Sequence, residues 1–162
     1  MIKIEFDVPM AAKGMGLTID EWVEVYMDGR RISMIIEKRI SKLKGYKKAS
    51  SEGDPYDVID PENKKGEVRC LTNKVMFRPS NQIGDGRRFD ESKFYEHKIS
   101  KVDYFMIADI NEIDLRNGIV NVFNVPSILV WDLYKQGKLG KSADKGRKSF
   151  LKLMKELNIY NP

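Results

Sequence analysis

The feature that most constrains the fold is a short, almost wholly apolar run about two thirds of the way along the chain. Residues 104–110 are YFMIADI, and an apolar run of this length predicts a strand that is buried on both faces. Such a strand lies inside a sheet that is covered by helices on both sides. The chain has 162 residues, enough for one such core, so we expect a single α/β domain over 1–162.

Periodic apolar positions predict the helices that cover this sheet. Thr18 and Glu21 form a capping-box pattern at the start of a first helix, and Ile32, Ile36 and Ile40 recur at helical spacing in a second. Gly45 would end the second helix. Further helices are predicted from Asp90 or Ser92 to about 101, from Ser127 to about 136, and from a cap at Asp144 onward.

β-Favouring runs between turn residues predict the other strands. Residues 56–60 (YDVID) and 67–77 (EVRCLTNKVMF) flank the hydrophilic turn 61–66 and predict a β-hairpin. Residues 119–125 predict another strand, which Pro126 ends. The predicted order is α-β-β-α-β-β-α-α on a mixed sheet, with a core at about 30–125 and C-terminal helices at about 127–158.

Composition limits the classes of function. No apolar run is long enough to span a membrane, and the N-terminus lacks the pattern of a secretory signal, so we expect a complete chain from Met1 that stays in the cytoplasm and has no membrane partner. Cys70 is the only cysteine and His97 the only histidine. These two residues cannot form an internal disulfide or a structural zinc site, so any metal site must be built from oxygen ligands.

The charge balance favours a polyanionic partner. Lysine and arginine number 29 against 24 aspartates and glutamates, which gives a net charge of +5. Basic side chains gain affinity for nucleic acids because they displace counterions from the phosphates.

Two carboxylates are predicted to meet on the hairpin. Residues i and i+2 of a strand share a face, so Glu67 and Arg69 project together while Val68 and Cys70 point into the core. The hairpin brings Asp57 alongside Glu67. A carboxylate pair on neighbouring strands is an oxygen site suited to Mg²⁺, and a cation there can stabilise the charge that develops on a phosphate.

This pattern resembles the signature of the PD-(D/E)xK nuclease superfamily. The resemblance rests on Asp57, an apolar pair, a variable turn and then Glu67-Val68-Arg69. The order of elements is similar too, because the superfamily has a restriction-endonuclease-like αβββαβ core, here at residues 30–44, about 47–77, 90–101 and 103–110. Within the superfamily the layout is most similar to small type II restriction endonucleases, over roughly residues 30–110.

The resemblance implies a Mg²⁺-dependent, site-specific endonuclease that hydrolyses phosphodiesters of double-stranded DNA. Asp57, Glu67 and the backbone carbonyl of Val68 would hold one or two Mg²⁺ ions. Arg69 would occupy the position where the family usually has lysine. An arginine, with a pKa of about 12 or higher, does not deprotonate water, so its role would be electrostatic or orienting.

Three alternatives stay open at this stage. Lys74 is another source of the missing lysine, although it lies on the opposite strand face. Asp60 replaces Asp57 as the metal ligand if the hairpin register differs by one residue. Glu37 matches the position of an additional acidic ligand in some superfamily members, but the sequence favours a solvated partner of Lys38, Arg39 or Lys42.

Contacts to DNA are predicted outside the hairpin. The loop 78–88 is rich in side chains that can bond to base edges, namely Arg78, Ser80, Asn81, Gln82, Arg87 and Arg88. Two basic clusters can either meet phosphates or simply face solvent. The first contains Lys38, Arg39, Lys42, Lys44, Lys47 and Lys48, and the second contains Lys141, Lys145, Arg147 and Lys148.

The expected assembly is a homodimer, because paired active sites match the two strands of a palindromic site. Two other functions remain possible at this stage. A Holliday-junction-resolvase-like nuclease would recognise branched shape and need fewer base contacts. A catalytically inactive DNA-binding module on a nuclease fold is kept open by Arg69 in the lysine position.

Overall fold

The computed structural model describes residues 1–51, 53–79 and 88–160. Its strands are β1 (Ile2–Glu5), β2 (Lys47–Lys48), β3 (Val58–Ile59), β4 (Lys65–Leu71), β5 (Lys74–Met76), β6 (Tyr104–Asp109), β7 (Ile119–Pro126) and β8 (Asp144–Gly146). Its helices are α1 (Val8–Gly14), α2 (Ile19–Tyr26), α3 (Arg30–Ile40), α4 (Glu91–Phe94), α5 (Glu112–Arg116), α6 (Ser127–Lys135) and α7 (Arg147–Glu156). Helix α4 continues directly into a π-helical turn, Tyr95–Ile99.

Six strands form one mixed sheet in the order β1-β7-β6-β4-β3-β2. Strands β4 and β6 pair in parallel, and the other neighbours pair antiparallel. All six residues of β6 are buried, as expected of a strand with helices on both faces. The predicted α/β architecture on a mixed sheet is therefore confirmed.

Two apolar cores cover the two faces of the sheet. Met106 and Ala108 of β6 pack with the residues of α1, α2 and α3, whereas Phe105 and Ile107 pack with those of α4, α6 and α7. This alternation follows from the period of two along a strand. The sheet edge formed by β2 and β3 thus lies beside α3.

Local start signals explain several boundaries. Thr18 and Glu21 exchange the two hydrogen bonds of the predicted capping box, and Gly29, with φ of 79°, separates α2 from α3. Of the two caps considered for α4, Asp90 is the one observed, because its side chain accepts a hydrogen bond from the Lys93 N–H. Among the described residues, no helix is long and apolar enough to cross a membrane.

Three predicted elements need correction. The strand expected at 67–77 ends at Leu71 and resumes as β5, which pairs with β8 and not with the hairpin. Asp144 begins β8, so it does not cap the last helix, and α7 starts at Arg147. Ser127 is the first residue of α6 but makes no capping hydrogen bond. In each case a long-range strand pairing, invisible to local propensity, decides the outcome.

Candidate active site

Four charged side chains converge where β3 begins, near the edge of the sheet. Asp57 immediately precedes β3, Glu67 and Arg69 lie on β4, and Lys98 lies on the π-helical turn. Glu67 ties them together, because its carboxylate contacts both basic groups and also interacts electrostatically with Asp57. The predicted meeting of the hairpin carboxylates therefore occurs, with an added lysine.

Glu67 is a buried carboxylate held by two cations. Its side chain is about 6% exposed, and Oε1 accepts hydrogen bonds from Lys98 Nζ at 2.6 Å and from the Arg69 guanidinium at 2.9 Å. A buried charge persists only with such partners. Within the described part of the chain, Oε2 receives no hydrogen bond.

Asp57 lies against the backbone of β4. Its Oδ2 accepts a hydrogen bond from the Val68 N–H at 2.7 Å. The Asp57 N–H donates to the carbonyl oxygen of Gly66, whose partner on the neighbouring strand is Val58. Asp57 and Val58 therefore both lie opposite Gly66, as in a β-bulge, which changes the direction of a side chain. Because a strand residue directs its N–H and carbonyl to the same side, the Val68 carbonyl also points toward the Asp57 side.

Burial and mutual repulsion raise the pKa values of two carboxyl groups. Burial first, and then the negative charge of Glu67, raises the pKa of Asp57 to about 6, although the Val68 N–H, Arg69 and Lys98 act in the opposite direction. Burial, followed by Asp57 and Glu67, raises the pKa of Glu37 to about 7. Carboxylates arranged in this way gain from a nearby cation.

These shifts predict how stability depends on pH in the absence of divalent cations. A pKa raised in the folded state favours folding at low pH, and this contribution is lost as the pH rises through the folded-state pKa. We therefore expect the free energy of unfolding to fall between about pH 4 and about pH 7. Urea unfolding in EDTA across this range measures the effect. A curve that is equally steep in Asp57→Asn/Glu37→Gln would contradict its assignment to these carboxyl groups.

The prediction made for Glu37 from the sequence is wrong. It was expected to be a solvated ion-pair partner of Lys38, Arg39 or Lys42, yet among the described residues it forms no salt bridge. It is half-buried and lines a groove together with Asp57. Glu37 is thus a third carboxylate within electrostatic reach of the hairpin pair.

The alternatives Asp60 and Lys74 occupy structural positions. Asp60 accepts hydrogen bonds from the Glu62 and Lys64 N–H groups and from the Tyr104 hydroxyl, so its carboxylate organises the hairpin turn. Lys74 lies in the separate β5–β8 sheet and pairs with Asp144. Neither side chain joins the group around Glu67.

Lys98 is the functional candidate that sequence reasoning missed. It is buried, and its Nζ also donates to the Pro55 carbonyl at 3.2 Å. One feature of the sequence could have indicated Lys98: it follows Phe94 by four residues and so lies on the buried face of the helix. A lysine on such a face needs a partner, but the partner, Glu67, lies 31 positions away.

The structure describes two of the six residues that were predicted to contact base edges of DNA. Ser80, Asn81, Gln82 and Arg87 lie outside the described residues. Arg88 is exposed. Arg78 is half-buried, its carbonyl accepts a hydrogen bond from Arg69, and its guanidinium approaches the sulfur of Met76. Arg78 therefore packs beside the site in this structure.

The second basic cluster contains one side chain with a structural role. Arg147 pairs with the buried Asp109 and donates to the carbonyls of Leu71 and Ile110. It was predicted as a possible phosphate contact, but it links β4 and β6 to α7. Lys141 and Lys148 of that cluster are exposed.

The donor set fits a hard divalent cation. The available groups are carboxylate oxygens of Asp57 and Glu67 and the Val68 carbonyl. No group of three or more His, Cys, Asp or Glu side chains in residues 1–51, 53–79 and 88–160 is arranged as a complete metal site. Mg²⁺ does not require one, since it keeps several waters and commonly uses one or two carboxylates.

No protein-family model matches the chain, and the search of curated proteins finds no match.

Proposed function

We propose that the protein is a Mg²⁺-dependent endonuclease that hydrolyses phosphodiester bonds of double-stranded DNA, of the type II restriction class. The observation that carries this proposal is the convergence of Asp57, Glu67 and Lys98 at one sheet edge. Two acidic groups and a buried lysine supply metal ligands and a positive charge where a phosphate can be attacked.

The order of elements supports the same class. Helix α3 precedes the antiparallel strands β2, β3 and β4, which are followed by α4 with its π-helical turn and by β6, parallel to β4. This order supports the αβββαβ core that the PD-(D/E)xK resemblance implies. In that core Asp57 and Glu67 would be the two acidic residues.

The residues have separate roles in the proposed reaction. Asp57, Glu67 and the Val68 carbonyl would hold Mg²⁺, which, when bound, lowers the pKa of water and neutralises charge on the phosphate. Arg69 and Lys98 hold the Glu67 carboxylate in place. Lys98, unlike Arg69, supplies the primary amine that the signature usually contains, from a helix instead of the strand.

Lys98 also bears on the alternative of an inactive DNA-binding module. That alternative rested on Arg69 in the lysine position, and the Lys98 amine 2.6 Å from Glu67 Oε1 is a second candidate for the lysine role. A junction-resolving nuclease would use the same residues, so substrate preference distinguishes the two enzymes. A homodimer in the cytoplasm remains the expected form of the restriction enzyme.

The proposal is tested by incubating the purified protein with unmethylated phage DNA, with Mg²⁺ or with EDTA, and separating the products on a gel. We expect discrete bands with Mg²⁺, none with EDTA and none from Glu67→Ala. Glu62→Ala, an exposed acidic residue of the same hairpin, is the matched control and should cut normally. Intact linear DNA together with cut four-way junctions would favour the resolvase, and no cleavage of either would contradict the nuclease.

A further inference from the structure

A groove of about 590 Å³ leads along α3 to the candidate active site. One wall is the outer part of α3, so the groove runs beside the sheet edge formed by β2 and β3. The other wall is formed by Lys48, Ala49, Ser51, Asp54, Tyr56 and Asp57. Glu37 and Asp57 are among its lining residues. A ligand that lies in this groove therefore touches Asp57, one of the two carboxylates proposed to hold the metal.

Three exposed lysines line the groove together with Glu37, Asp54 and Asp57. Lys38 lies on α3, Lys42 lies two residues beyond the end of α3, and Lys48 is on the opposite wall. Across the described residues none of the three forms a salt bridge. Lys48 also lowers the pKa of Glu37, opposing the effect of burial, so its charge reaches the acidic end.

The structure separates the three groove lysines from Arg39, Lys44 and Lys47, the other three residues of the first basic cluster. Arg39 lines the groove but donates to the Glu5 carbonyl and lies over the ring of Phe6, so it supports β1. Lys47 is the neighbour of Lys48 on β2 and points to the other face, because successive strand residues alternate. Lys44 and Lys47 do not line the groove. The cluster thus contains its own controls.

We propose that this groove binds the phosphate backbone of the DNA strand that is cut, through Lys38, Lys42 and Lys48. The proposal rests on the proposed nuclease function and adds the path of the substrate. Unpaired lysines attract an anionic backbone because they release its condensed counterions. Their position on both walls directs that backbone toward Asp57, one of the two carboxylates proposed to hold Mg²⁺.

The test measures binding separately from cleavage. Fluorescence anisotropy of a labelled duplex in EDTA gives the dissociation constant of the wild type, of Lys38→Ala/Lys42→Ala/Lys48→Ala and of Lys44→Ala/Lys47→Ala over a range of salt concentrations. Each lost phosphate contact lowers the slope of log K against log salt by about 0.9. We expect the slope of the triple variant to fall by about 2 to 3, and that of the double variant to stay close to the wild-type value.

The outcomes are distinguishable. An unchanged slope in the triple variant would overturn the proposal that the groove binds DNA. An equal loss of slope per lysine in the double variant would overturn it too. A wild-type protein that does not bind the duplex would overturn it as well. Salt-dependent binding through the three lysines, without cleavage by the wild type in Mg²⁺, would support the groove and contradict the proposed nuclease.

Discussion

Replacing Asp57 with asparagine is expected to abolish DNA cleavage while making the metal-free protein more stable at about pH 8. Asparagine keeps an oxygen that can accept the Val68 N–H but removes the charge that would hold the metal. Cleavage should fall by about a thousandfold or more. The raised pKa of Asp57, about 6 against 3.8, corresponds to about 3 kcal/mol of stability regained.

Asp60→Asn is the matched control for this prediction. Asp60 holds the hairpin turn and accepts from the Tyr104 hydroxyl, so its variant should still cleave DNA but lose about 1 kcal/mol of stability. Cleavage rates with Mg²⁺ and urea unfolding in EDTA measure both effects. The opposite result, in which Asp60→Asn is inactive and Asp57→Asn is active, would mean that Asp60 is the metal ligand.

Replacing Lys98 with methionine is expected to cost about 2 to 4 kcal/mol of stability and to remove activity. Methionine preserves much of the packing, but Glu67 would keep only Arg69 as a partner while it remains buried. Removing the charge of Glu67 as well should recover most of the loss, because no buried carboxylate is then left underpaired. Urea unfolding of Lys98→Met, Glu67→Gln and the double variant measures the coupling.

The control for this cycle is Lys101→Met. Lys101 follows the π-helical turn by two residues and is exposed, so its replacement should change stability by about 0.5 kcal/mol or less. A coupling energy between Lys98 and Glu67 below about 0.5 kcal/mol would show that the two residues act independently.

Features that depend on local pattern could be predicted from the sequence. The apolar run in β6, the capping box at Thr18 and the carboxylates beside the hairpin turn all follow from residues close together in the chain. The break after Leu71 could not, because β5 is formed by pairing with β8 some 70 residues later. Strand propensity is the same whichever partner a strand finds.

The same distinction applies to the candidate site. Asp57 and Glu67 are connected by one short turn, so their proximity follows from the hairpin. Lys98 and Glu37 reach the site from two helices on different faces of the sheet. Their approach depends on how α3 and α4 pack, which is a tertiary property, and an exposed partner for Glu37 was the simpler prediction from helical spacing alone.

The measurement that tests the central claim most directly is the effect of Mg²⁺ on thermal unfolding, since it needs no knowledge of the DNA sequence that is recognised. At about pH 8, where Asp57 is ionised, Mg²⁺ should raise the Tm of the wild type in a concentration-dependent way. At a hundredfold excess over Kd the free energy of unfolding should rise by about 2.7 kcal/mol. Asp57→Asn and Glu67→Gln should show no such rise. An equal rise in all three proteins, or none in the wild type, would contradict a metal site built from these carboxylates.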